Sequence, residues 1–255
     1  MNDKHDIAGL LANGRVLARL SSRSALMSDF LLLMARTENL TLYGFRDAVV
    51  VQNCLARTSD SARRKLYKEL KGRYLLDNRH ELFSAFLTEW NIHSDSMDRQ
   101  FLAYVLFNLH DRGVFVTSIQ WLYPHLRQPA SELRVGDLIV FLQSLGRTSH
   151  PEIAAWSPTT LIRVAQHYLA SIRDFGLATG GTSKNAVRPS LRAAPVRLLL
   201  HGLRLAGVPT AEILRHEAFR MLGVAQGEVL DILSELNRHG NLRFRIQADV
   251  IELSL

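Results

Sequence analysis

Ser59-Asp60-Ser61-Ala62-Arg63-Arg64-Lys65-Leu66-Tyr67-Lys68-Glu69-Leu70-Lys71-Gly72-Arg73-Tyr74 joins the densest charge in the chain to a regular apolar spacing. At about 100° per residue, Leu66, Tyr67, Leu70 and Tyr74 share one face, with Arg64, Lys65, Lys68 and Lys71 opposite. The spacing predicts a helix over 61–74 that packs on one side and meets solvent or an anion on the other. Ser59, Asp60 and Ser61 each offer an oxygen to the first free N–H groups, so all three are candidates for its start. Taken alone, such a helix is as readily a solvated charged surface as a nucleic-acid contact.

Upstream, residues 45–55 contain Val49-Val50-Val51, a strand former by propensity, yet Phe45, Val49, Gln52 and Ala56 keep a 3.6 period and predict a helix. Residues 56–60 are then a short polar turn into the basic helix. Two helices with the second one basic have the outline of a helix-turn-helix, whose second helix enters the DNA major groove. Plain helical hairpins share that outline. Before it, residues 24–36 read as a buried helix and residues 7–20 as an amphipathic helix loosened near Gly14.

Downstream, residues 80–90, 96–111 and 115–125 are apolar-rich helical segments, with Gly113 placed to stop the second of them. Ser131-Glu132-Leu133-Arg134 opens a further helix to about residue 145. Short joints and no useful period-2 alternation make residues 1–148 a helical bundle carrying the basic helix. A different texture follows. Trp156-Ser157-Pro158-Thr159-Thr160 is a strong helix start, with Ser157 as N-cap and Pro158 at the first helical position. That helix runs to about residue 175, where Gly176 suits a left-handed cap, and residues 177–188 read as a two-stranded wing around Gly180-Gly181. Helices over 196–206, 210–222 and 226–238 and a closing β-hairpin from Asn241 to Leu253 repeat the order. The expected architecture is mainly α, with a winged-helix-like part over 149–255 ending in a small β-hairpin.

The chain has 255 residues, 47% apolar and 22% charged, enough for one large or two ordinary domains. Its net charge of +7 is uneven: residues 1–80 hold 14 Lys and Arg against 8 Asp and Glu. An anionic partner suits that asymmetry, and so does solubility. Cys54 is the single cysteine, which excludes an internal disulfide and a cysteine-based metal cluster. The apolar run 30–35 is far too short to span a membrane, and the first residues lack the flanks of a secretory signal, so a cytoplasmic, membrane-free protein is expected.

Catalytic chemistry finds little support. Ten histidines include no His-x-x-x-His pair, and His216-Glu217-Ala218-Phe219-Arg220 lacks the second histidine of a zinc-protease helix. Gly180-Gly181-Thr182-Ser183-Lys184 has neither the spacer nor the Gly-Lys-Ser/Thr order of a phosphate loop. Asp95 and Asp98 read as a helix N-terminal pair. The expectation is no enzyme, no catalytic residue, no metal and no cofactor.

Nucleic acid is the partner that several signals favour together. Arg57, Arg63, Arg64, Lys65, Lys68, Lys71 and Arg73 place seven cations within 17 residues, offset only by Asp60 and Glu69. Arg63 lies in the apolar arc and Arg73 at its edge, so both are also candidates for internal packing. Thr159, Thr160, Arg163 and His167 line the start of a second candidate recognition helix, and Lys184 and Arg188 sit on the wing. Capping and ordinary surface explain the threonines equally well.

The basic helix after Gln52-Asn53-Cys54-Leu55-Ala56-Arg57-Thr58-Ser59, together with Glu69-Leu70-Lys71-Gly72-Arg73-Tyr74, Trp156-Ser157-Pro158-Thr159-Thr160 and Arg173-Asp174-Phe175-Gly176-Leu177, resembles the BrxA family. The resemblance covers most of the chain, including the closing Gly240-Asn241-Leu242 hairpin. BrxA proteins are small components of bacterial BREX phage-exclusion systems. What the resemblance implies is a mostly helical, non-enzymatic DNA-binding accessory protein, partly similar in fold to the NusB antitermination protein, with other BREX proteins as partners. Two alternatives follow: a NusB-like RNA-binding antitermination factor, and a scaffold whose basic helix meets an acidic protein. The sequence leaves the oligomeric state open, a homo-oligomer included.

Overall fold

The computed structural model describes residues 14–247 and 250–255. Helices dominate, as the 3.6-residue spacing requires. The first half comprises α1 (Met27–Arg36), α2 (Leu42–Arg46, continued by the π-helical Asp47–Val51), α3 (Asp60–Tyr74), α4 (Glu81–Ile92) and α5 (Ser96–His110). Next comes one helical run, α6 (Arg112–Val116, π-helical Thr117–Leu122, then Tyr123–Leu126). After β1 (Glu132–Leu133) follow α7 (Val135–Thr148), α8 (Pro151–Ala154), α9 (Pro158–Asp174), β2 (Ala178–Thr179) and β3 (Lys184–Ala186). The chain closes with α10 (Ala193–Leu205), α11 (Thr210–Ile213), α12 (Val229–Arg238) and the hairpin β4 (Arg243–Gln247) and β5 (Val250–Ser254). The fold is mainly α with a small terminal hairpin, as the sequence predicts.

α5 is the axis of the core. Phe101-Leu102-Ala103-Tyr104-Val105-Leu106-Phe107-Asn108-Leu109-His110 has no Asp, Glu, Lys or Arg to turn outwards, and every one of these residues is buried. Around it pack α1, α3, α4 and α10. Phe30 of α1 stacks on Tyr74 of α3 with ring centroids 3.8 Å apart and planes within 9°, so the apolar face of the basic helix is fixed by its last turn. At the far side, Arg197 of α10 donates to the buried Glu89 of α4 at 2.9 Å and to the Asn241 carbonyl, which ties the C-terminal hairpin to the bundle.

A three-stranded antiparallel sheet has the order β1-β3-β2, with Glu132 opposite Asn185 and Thr179 opposite Asn185 on the other side. Between β1 and β2 the chain makes α7, α8 and α9, so this pairing joins residues on both sides of position 148. The turn from β2 to β3 needs Gly180, at φ +96°, where a Cβ would lie 2.3 Å from the Ser183 carbonyl oxygen.

Several boundaries differ from expectation for local reasons. Of the helix expected over 7–20, residues 7–13 lie outside the described residues, and the remainder has no regular structure apart from a 3₁₀ turn at Arg19–Ser21. The second helix begins at Met27 because Leu26 is left-handed, at φ +57°. Left-handed Asn53 and Ala56 end the third before the basic helix begins. Gly113 stops nothing: Asp111 ends α5 and caps α6 by accepting from the Gly113 and Val114 N–H groups. Glu132 and Leu133 are drawn from the start of a helix into a strand by pairing with β3. The helix expected over 210–222 breaks into α11 and a 3₁₀ stretch Glu217–Leu222, with His216 capping the latter.

Candidate nucleic-acid interface

Ser59 is the cap that starts α3, its hydroxyl accepting from the Ala62 N–H. Leu66, Leu70 and Tyr74 are buried and the Tyr67 hydroxyl donates to the Leu42 carbonyl, so the helix cannot roll about its axis. Lys65, Lys68 and Lys71 therefore stand outward, exposed and without a hydrogen bond or salt bridge among the described residues. Lys71 helps hold the Asp77 carboxyl below its usual range, though the hydrogen bond from Arg79 is the larger cause. Arg64 is exposed but donates to Asp60 at 2.6 Å, and Arg63 lies 3.8 Å from the same carboxylate. The hydrogen bond from Arg64 lowers the Asp60 pKa.

Two members of the expected set are tied to other groups of the protein. Arg73 is 3% exposed. Its guanidinium donates to the carbonyls of Ser24, Arg23 and Glu69, and burial lowers its pKa while Glu69 opposes the shift. Arg57 sits in the turn before α3, bonded to Asp29 at 2.5 Å, while Asn53 bonds its backbone on both sides. These two arginines build the scaffold; the lysines remain available.

On α9, Ser157 caps as expected and Leu161, Val164, Ala165, Tyr168, Leu169 and Ile172 form the buried face. Thr159, Ile162, Arg163 and Gln166 occupy the solvent face. The Thr160 hydroxyl is turned back to Ser157 at 3.0 Å, and His167 donates from Nδ1 to the Leu20 carbonyl at 2.5 Å. Both side chains are thus engaged by neighbouring residues of the protein. From Pro158 to Arg173 the helix carries no carboxylate. α12 differs, since Asp231 and Glu235 are on its exposed side.

The wing residues are likewise divided. The Lys184 ammonium donates to the Gly181 carbonyl at 2.7 Å and stays beside the exposed turn. Arg188 is spent elsewhere, bonded to both oxygens of Glu228 at 3.0 Å. Arg127 grips the same carboxylate, whose pKa is held at about 2 chiefly by that hydrogen bond. Gln166, absent from the expected set, belongs to this face; its signal in the sequence was its position one turn beyond Arg163 and two beyond Thr159.

A strap of chain joins the two helices. Arg19 donates to the Gly72 carbonyl on α3 at 3.0 Å, Leu20 accepts from His167 on α9, and the Ala25 N–H donates to Ser171 on α9 at 2.8 Å. Under the strap lies an apolar cavity of about 20 Å³ lined by Val16, Leu20, Leu138, Trp156 and Tyr168 among others, room for no more than a water-sized probe. Among the described residues no three His, Cys, Asp or Glu side chains gather as metal ligands, and no helix is long and apolar enough to cross a membrane.

Residues 17–201 match the BrxA family, a span that includes α3, the strap, the three-stranded sheet and α9. The chain belongs to the BrxA family. Membership implies a BREX-associated role, and BrxA is generally a non-catalytic component of such systems. The BrxA match ends within α10, so α11, α12 and the terminal hairpin lie beyond it. No curated protein and no solved structure matches the chain.

Proposed function

We propose that this BrxA protein is a non-enzymatic double-stranded-DNA-binding component of a BREX phage-defence system, docking on the phosphate backbone and recruiting other defence proteins. The observation that carries the reading is the element order β1-α7-α8-α9-β2-β3 with sheet order β1-β3-β2. We read that order as a winged helix, with α9 in the place of the recognition helix and the Gly180-Gly181 turn in that of the wing. Its helix face lacks any carboxylate, which suits a polyanion. Lys65, Lys68 and Lys71 on α3, with the exposed Arg64 of the same helix and Lys184 beside the wing turn, supply about five cations that can neutralise phosphates. Residues 132–186 supply this unit. Tyr43 at the start of α2 and Val51 at its π-helical end, 80% and 65% exposed, support a protein partner.

Five neutralised phosphates make log K fall against log salt with a slope of about −4 to −5. Fluorescence anisotropy of a labelled duplex across a salt series measures it. A slope near zero, or no binding at low salt, removes the reading. Tighter binding to structured RNA than to duplex DNA transfers it to the RNA-binding alternative, because the narrow A-form major groove does not admit a helix.

A further inference from the structure

We infer that the solvent face of α9 reads base sequence in the major groove, so that the protein selects sites on duplex DNA and does not merely coat it. The inference rests on the DNA-binding reading above and adds specificity to it. Thr159, Ile162, Arg163 and Gln166 stand at i, i+3, i+4 and i+7, on one side of two successive turns. At 1.5 Å per residue they span roughly 10 Å, the rise of about three base pairs.

The chemistry of this quartet differs from that of the basic helix. Lysines on α3 are point charges suited to phosphate. Arg163 carries a planar fork that matches the O6 and N7 atoms of guanine, and Gln166 an amide that matches N6 and N7 of adenine. Ile162, 43% exposed between them, gains nothing from a phosphate and packs against a thymine methyl. Arg163, Gln166 and Thr159 form no hydrogen bond or ion pair among the described residues, so their donors and acceptors are available to a base edge.

The face is also held in place. Behind it, the Tyr168 hydroxyl bonds Ser118 at 2.9 Å, His167 bonds Leu20, and Ser171 bonds Ala25. Three polar contacts along the inner side fix the axial rotation of the helix, and preorganisation of that kind is what discrimination between bases requires.

The test is selection of bound duplexes from a random library by the full-length protein, repeated with Arg163→Ala and Gln166→Ala. The wild type is expected to enrich a short motif containing G and A at fixed spacing. Arg163→Ala relaxes the G position and weakens the selected site by about 5- to 150-fold, with less than about threefold loss on random duplex; Gln166→Ala relaxes the A position alone. Both residues are exposed, so the thermal midpoints stay at the wild-type value. Salt-dependent binding with no enriched motif overturns the inference and leaves the DNA-binding reading standing. An enriched motif that neither substitution alters also overturns it. Failure to bind any duplex at low salt overturns both.

Discussion

His167 and Arg73 are held by the same short strap of chain. The His167 ring donates to the carbonyl of Leu20, and the Arg73 guanidinium donates to the carbonyls of Arg23 and Ser24. One residue belongs to the candidate recognition helix and the other to the basic helix. Neither is an outward cation; together they set where the outward ones stand relative to each other. Disturbing the strap therefore misaligns the two proposed DNA-facing helices at once.

Arg73→Met tests the scaffold side of this relationship. The side chain is buried, and the substitution leaves the Ser24, Arg23 and Glu69 carbonyls without their donor and removes one of the two arginines beside the Glu69 carboxylate. Breaking a buried pair in this way costs roughly 3–5 kcal/mol. Chemical denaturation should show a loss of that size, whereas a neutral result places Arg73 at the surface, contrary to its burial.

Acid sensitivity follows from His110. It accepts from Arg19 at Nε2, and burial pulls its pKa from 6.5 to about 3. The unfolded chain binds a proton that the folded one refuses, so stability is complete above about 6.5 and falls as pH drops towards about 3. The slope from this group alone reaches about 1.4 kcal/mol per pH unit. His110→Gln keeps an acceptor for Arg19 and removes the titration. Its stability should vary less between pH 6.5 and 4 than that of the wild type, and parallel curves contradict the assignment.

Glu228 links the end of α6, through Arg127, to the chain after β3, through Arg188. Its depressed pKa means that the stabilisation is present above its ordinary 4.5 and is lost as pH falls through about 2. The side chains are about a third exposed, so the contribution is on the order of 1 kcal/mol or less. A comparison of thermal midpoints for the wild type and Glu228→Gln should give a small gap at neutral pH that closes between about pH 4.5 and 2. A gap that persists at pH 2 contradicts the charge-based account.

Local signals were legible and long-range ones were not. α3 and α9 could be placed because Ser59 and Ser157 are caps followed by regular apolar spacing, and Gly176 is left-handed, at φ +79°. The terminal hairpin announced itself by alternation over five residues. β1 did not, since two residues show no period, and only pairing with Lys184 and Asn185 far along the chain makes them a strand. Arg73 was placed at the edge of the apolar arc, but the acceptors that bury it come from residues 19–24, which no helical wheel contains. Arg188 looked free for the same reason: Glu228 reaches it from another part of the fold.

The most direct measurement of the central claim is duplex affinity and thermal midpoint for a variant with Arg64, Lys65, Lys68 and Lys71 all changed to Glu. All four side chains are exposed, and none is packed in the core. Binding at about 50 mM salt should be abolished while the midpoint moves by no more than a few degrees. Wild-type affinity in that variant would contradict the account, and so would unfolding, which would make the charged face of α3 part of the scaffold.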